Sequence, residues 1–151
     1  MTKEEKVLRN NSGFTFIEIM IVVLIISLLV AVVGPRLIGQ SYDAKKTAAQ
    51  QQIANFETAL KLFKIDNGFY PSTDQGLEAL IDEPDTGREP KNYREGGYLD
   101  KRQLPLDPWK GPYIYISPGI NGDFDIISYG ADGREGGEGE DADINNWDIG
   151  K

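Results

Sequence analysis

The chain has no cysteine and no histidine. Without cysteine it can form neither a disulfide nor a thiolate metal site, and it has no thiol nucleophile. Without histidine it lacks the commonest general base. Nucleophile-elbow and phosphate-loop motifs are absent too, so catalysis would fall to carboxylates, Lys, Tyr or Ser, and no catalytic residue is expected. Positive charge is also scarce. Sixteen Lys and Arg stand against 24 Asp and Glu, for a net charge of −8. Binding to nucleic-acid phosphates needs a basic patch, so no nucleic-acid partner is expected.

One apolar stretch dominates the 151 residues. From Ile19 to Gly34 there is no charged side chain. With Phe14 to Glu18 added, the run reaches about 20 residues, the length of a bilayer-spanning helix. Glu18 is its only charge. A carboxylate in hydrocarbon costs a few kcal/mol and marks a functional position by default, unless it lies wet at the headgroups. Residues 1–13 ahead of the run are polar, with Lys3, Lys6 and Arg9 against Glu4 and Glu5. A secretory signal would be cut after its apolar region at an A-x-A-like site. Here Val33, Gly34, Pro35 and Arg36 follow instead, and a glycine, Gly13, precedes the run.

Beyond Pro35 a helical pattern resumes. Ala49, Ile53, Phe56, Leu60 and Phe63 recur at spacings of four and three, one apolar face of a helix. Good helix formers fill Ala44 to Lys64, and Asn67-Gly68 with Pro71 is a stop signal. The spacing predicts one long helix from about Phe14 to about Asp66, kinked at Pro35. Ser72, Thr73 or Asp74 can cap a short helix over Gly76 to Ile81. Asp82 to Glu95 reads as a loop. Two strands are expected, Tyr113–Ser117 and Phe124–Tyr129, joined by a turn containing Asn121-Gly122. The fold class is α+β, with the long helix packed on a small antiparallel sheet.

The final block, Gly130 to Asp143, is rich in glycine and acid. Glycines allow tight turns, and tight turns let hard oxygens converge as Ca²⁺ requires. Gly136 to Asp141 matches GGxGxD, though it occurs once and Asp143 stands where that repeat wants an apolar residue. An EF-hand is excluded, because Asn146 replaces its glycine. A solvated acidic loop is the simpler alternative. Ile144, Trp147 and Ile149 then return the tail to the core.

A basic leader, Gly13, Phe14, and an apolar run with Glu18 as its fifth residue resemble the class III signal of type IV pilins and pseudopilins. Phe16 replaces the usual leucine. DNGFYPSTDQGLEALI, GGYL, LPLDPWKGPYIY and SYGADGREGGEGEDADINNWDIG extend the likeness over nearly the whole chain. Together they resemble the major pseudopilin family of the type II secretion system. The resemblance implies a leader over 1–13, a transmembrane and fibre-core half-helix over 14–35, and a periplasmic globular domain over 36–151 with a calcium loop at about 129–143. It implies cleavage after Gly13 by a prepilin peptidase and N-methylation of Phe14. Glu18 would pair with the amine of a neighbouring subunit during assembly. Ca²⁺ is the implied cofactor, with Asp132 and the Tyr129 carbonyl as ligands. Glu138, Glu140, Asp141 and Asp143 compete for the later acidic position, and Asp141 and Asp143 are favoured.

The implied partners are further copies of the chain in a helical homopolymer, minor pseudopilins and the inner-membrane assembly platform, with membrane lipid before assembly. The implied location is a single pass through the inner membrane with the C-terminal domain in the periplasm. The alternatives are a type IV pilin, a minor pseudopilin, or an anchored calcium module that never polymerises.

Overall fold

The computed structural model describes residues 13–150, and within them the side chains of 32–40 lie outside the description. The expected leader is therefore outside the described residues except for Gly13. Helix α1 runs over Phe16–Asn67. Pro35 does not end it, as a helix element continues through that position. The chain divides into two units, the first ending at Gln40 and the second beginning at Ser41.

In the first unit every described side chain is exposed. Ile25 is 53% exposed and Leu28 67%, on a helix that is apolar on all sides. Such a helix belongs inside a bilayer or a larger assembly rather than in water. The expected span over 14–35 extends beyond the described side chains; among the described residues no helix is long and apolar enough to cross a membrane. The helix begins at Phe16 and the described side chains stop at Ala31, which is short of the about 20 residues a span requires.

The second unit has a closed core. The expected stripe is fully buried: Ala49, Ile53, Phe56, Leu60 and Phe63 are each 0% exposed. Burying each large apolar side chain stabilises by about 1.5–3 kcal/mol. Rings cover the stripe, edge to face at Tyr113 and Phe69 and tilted at Tyr98. Phe56 meets Tyr113 at 5.2 Å between centroids, and Phe63 meets Phe69 at 5.6 Å and Tyr98 at 5.2 Å. The helix stops where the sequence signals it. Gly68 takes φ 80°, a left-handed conformation that costs glycine little, and its N–H donates to the Lys64 carbonyl at 2.7 Å. Asn67 Nδ2 donates to the Phe63 carbonyl and to Tyr98 Oη, tying the helix end to the core.

The expected short helix is a 3₁₀ turn over Leu77–Leu80, with Gly76 rather than a polar side chain at its N-cap. Ser72 acts one turn earlier. Its Oγ accepts from Gln75 N–H while Gln75 Oε1 accepts from Ser72 N–H, a reciprocal capping box. The buried Gln75 amide also donates to the carbonyls of Thr86 and Arg88, which anchors the loop after Asp82.

Three strands form one antiparallel sheet in the order β1 (Ile114–Ile116), β2 (Asp125–Ser128), β3 (Ile144–Asn145). Tyr115 pairs with Ile126 and Ser128 with Ile144. The first two strands are shorter than expected, and β3 is the means by which the tail returns to the core. Asn121-Gly122 does not form a primed two-residue turn, since neither residue has positive φ. The β1–β2 loop is longer and is ordered by a buried carboxylate. Asp125, 2% exposed, accepts from Ile120 N–H at 2.8 Å, from Asn121 N–H and from Asn121 Nδ2.

Candidate functional site

Two places carry the expected functional residues. At the first, Gly13, Phe14 and Thr15 lead into α1. Among the described residues, a side chain added at Gly13 would meet nothing within 4 Å. Phe14 is 78% exposed. Thr15 Oγ1 accepts from Glu18 N–H at 3.2 Å, and the Glu18 carboxylate accepts from Thr15 N–H at 3.4 Å. Glu18 therefore closes a capping box on the first helical turn, where the positive end of the helix dipole favours a carboxylate. The T-x-x-E spacing carries that signal, and Thr15 is absent from the expected site residues. The box holds the Glu18 carboxylate back against the start of the helix.

The second place is the acidic loop between β2 and β3. Tyr129 is half-buried just after β2, and Asp132 is exposed, its Oδ1 accepting from Arg134 N–H. Glu138 and Glu140 are exposed. Asp141 is exposed at the end of a 3₁₀ turn over Gly139–Asp141. Gly137, at φ 89°, lies so close to the Asp141 carbonyl that a Cβ would collide with it. Asp143 points inward: Oδ2 accepts from Gly136 N–H at 2.9 Å, while Oδ1 is buried without a hydrogen-bond partner.

Asp132, Asp141 and Asp143 are not drawn into one cluster. Among the described residues no three acidic side chains converge closely enough to hold a metal ion. What the loop does offer a hard cation is oxygen alone, with one buried carboxylate oxygen left unpaired. That donor chemistry fits Ca²⁺.

A residue that sequence reasoning missed closes this loop. Tyr42 Oη donates to the Gly139 carbonyl at 2.7 Å across 97 positions, and the Tyr42 ring packs against Trp109 at 6.1 Å. Burial, then Glu140, Asp43 and Asp141, pushes the Tyr42 phenol above its ordinary pKa. No local pattern could have revealed a contact of that range.

An exposed apolar half-helix leading into an α+β unit with its own core defines the class of pilin-like subunits. The comparisons narrow it. Residues 8–34 match the prokaryotic N-terminal methylation motif, and residues 36–147 match the family described as type II secretion system (T2SS), protein G. The type II secretion system core protein G of Vibrio cholerae is 50% identical over 144 residues, covering 95% of this chain and 97% of that protein. The protein of the same name from Pseudomonas aeruginosa is 51% identical over 140 residues, 93% of this chain and 97% of its own. Among solved structures, the major pseudopilin from the type 2 secretion system of enterohaemorrhagic Escherichia coli superposes with a TM-score of 0.66 at 40% identity. That match covers 76% of this chain and 96% of the other.

The chain belongs to the protein G family of the type II secretion system and is a structural subunit of its pseudopilus. The methylation motif and the family together make it a membrane-anchored, periplasm-facing protein that assembles with other components of the secretion system.

Proposed function

We propose that the chain is cut after Gly13 by a prepilin peptidase, methylated on the amine of Phe14, and polymerised into a helical fibre rooted in the inner membrane. The observation that carries this reading is the first unit: an apolar helix exposed on every side, in a chain whose second unit closes its own core. Residues 14–35 cross the inner membrane once before assembly, surrounded by lipid. In the fibre, helices of other copies replace that lipid. Minor pseudopilins and the inner-membrane assembly platform are the other partners. The fibre grows in the periplasm and helps drive folded proteins across the outer membrane, and the subunit acts by assembly rather than by catalysis.

The Gly13 backbone supports the cleavage step. Glycine there meets no steric demand among the described residues, which is compatible with a role in recognition by the peptidase. Glu18 supports the assembly step. Its carboxylate folds back toward the position of the new amine, on an exposed surface that a neighbouring subunit can reach. Opposite charges attract strongly once water is removed, and an unpaired carboxylate there is penalised, so the pairing selects register.

Mass spectrometry of the protein extracted from membranes tests this reading. A chain beginning at Phe14 with one added methyl is expected. A chain retaining residues 1–13 in a host with active prepilin peptidase would overturn it.

We also propose that the acidic loop holds Ca²⁺ through Asp132, Asp141 and Asp143 with the Tyr129 carbonyl. Asp143 Oδ1, buried and unpaired, supports this choice. A bound cation neutralises the loop's carboxylates. The loop residues then draw together, and β3 and the Tyr42 contact stay in place. A ligand at a hundredfold excess over its Kd adds about 2.7 kcal/mol of stability. The melting temperature is therefore expected to be higher in millimolar calcium than in chelator, and equal values would sink the assignment.

A further inference from the structure

At the start of the second unit, one side chain of α1 reaches across to the acidic loop. Asp43 to Ala48 are exposed, and burial begins at Ala49. Among the described residues, Tyr42 is what this stretch of helix sets against the rest of the unit. Its Oη donates to the Gly139 carbonyl at 2.7 Å, and its ring rests on Trp109. A carbonyl oxygen has two lone pairs, and Gly139 uses both. Besides Tyr42 Oη it accepts from Ala142 N–H at 3.4 Å, the bond that closes the 3₁₀ turn over Gly139–Asp141. Tyr42 therefore holds the turn that presents Asp141 and Asp143.

Trp109 is held in its turn by a buried relay. Its N–H donates to Asp107 Oδ1 at 3.0 Å, Ser128 Oγ donates to Asp107 Oδ2 at 2.6 Å, and Gly130 N–H donates to Ser128 Oγ at 3.4 Å. Asp107 is 5% exposed and Ser128 0%. The contacts that start at Tyr42 thus reach the acidic loop twice, at Gly139 directly and at Gly130 through Trp109, Asp107 and Ser128. The two ends of the loop also lie close together. A Cβ at Gly130 would stand 2.9 Å from the Ala142 carbonyl oxygen. Charge works against this closure. Between Asp132 and Asp143 six acids stand against Arg134 alone. Like charges repel, so the loop without a cation is driven open, and the Tyr42 contact opposes that opening.

We infer that Tyr42 is a positioning residue for the calcium loop: it holds the Gly139–Asp141 turn in its binding geometry, and calcium binding holds residues 41–48 helical in return. This rests on the calcium reading above. When the binding-competent state is only partly populated, the apparent affinity falls by that fraction, and Tyr42 raises the fraction. The coupling is mutual. The factor by which the Tyr42 contact tightens calcium is the factor by which calcium tightens the contact.

Calcium chloride titrated calorimetrically into the full-length chain in detergent tests the coupling. Tyr42→Phe keeps the ring for Trp109 and removes only the donor. It is expected to raise the calcium Kd about fivefold. Its melting temperature in chelator is expected to match the wild type, because an open loop has already lost the contact. Tyr93→Phe is the control: that hydroxyl is buried with no hydrogen-bond partner, and its removal is expected to leave the Kd unchanged. Hydrogen exchange supplies the reciprocal readout. Amides of residues 41–48 are expected to exchange more slowly in calcium than in chelator in the wild type, and to lose that difference in Tyr42→Phe. A wild type that binds calcium with the same Kd as Tyr42→Phe, or whose exchange at 41–48 ignores calcium, overturns the coupling and leaves the calcium site standing. A wild type that shows neither calcium binding nor a calcium-dependent melting temperature overturns the site and the coupling with it.

Discussion

Phe63→Ala is expected to destabilise the globular unit by about 3–5 kcal/mol. Phe63 is 0% exposed. Its ring lies within 6.3 Å of Phe69, Tyr93 and Tyr98, and its backbone carbonyl accepts from Asn67 at the helix end. Truncation removes the transfer free energy of the ring and leaves a cavity whose walls are other rings. Those rings are poorly placed to collapse. The Tyr98 hydroxyl is tied to Asn67, and the Tyr93 hydroxyl is buried, with its pKa pushed up to about 12 mainly by that burial. For a unit of this size the loss lowers the melting temperature by more than about 10 °C. Ile65, two residues further along the helix and 76% exposed, is the control. Ile65→Ala is a surface change and stays within about 0.5 kcal/mol. Thermal melts followed by circular dichroism decide the matter. Equal melting temperatures for the two variants would mean that the aromatic cluster is not what holds the helix to the segments carrying Phe69, Tyr93 and Tyr98.

That contrast also shows why the helix was legible in the sequence and the loops were less so. The period of Ala49, Ile53, Phe56, Leu60 and Phe63 is a property of the segment itself, and burial follows it residue for residue. The stop at Asn67-Gly68 is local as well. Strand β3 has two residues, too few for alternation to register, and exists because β2 offers it an edge. Asn121-Gly122 has the composition of a tight hairpin turn, yet a carboxylate four residues away outweighs that preference and sets a longer loop. Tyr42 reaches Gly139 through the folded chain alone.

The N-terminal methylation motif was legible because it is linear: residues 8–34 match it as sequence, with no help from the fold. The acidic loop was legible as composition, but which oxygens converge depends on turns that composition does not encode. Asp143, turned inward, and Asp132, turned to its own backbone, differ in that respect although both are acids between the same two strands.

Asp125→Ala carries the second large effect, expected at about 3 kcal/mol. The carboxylate is 2% exposed and accepts from the N–H groups of Ile120 and Asn121 and from the Asn121 amide. Hydrogen bonds to a charged acceptor contribute about 1.5–3 kcal/mol each, and part of that is recovered when water reaches the exposed Ile120 and Asn121. Asp125→Asn keeps the size and one acceptor oxygen but brings an NH₂ against N–H donors, so its cost lies between wild type and alanine. Chemical denaturation of the three proteins is expected to give that order.

An Asp125→Ala protein within about 0.5 kcal/mol of wild type would mean that the loop is held by something other than this carboxylate.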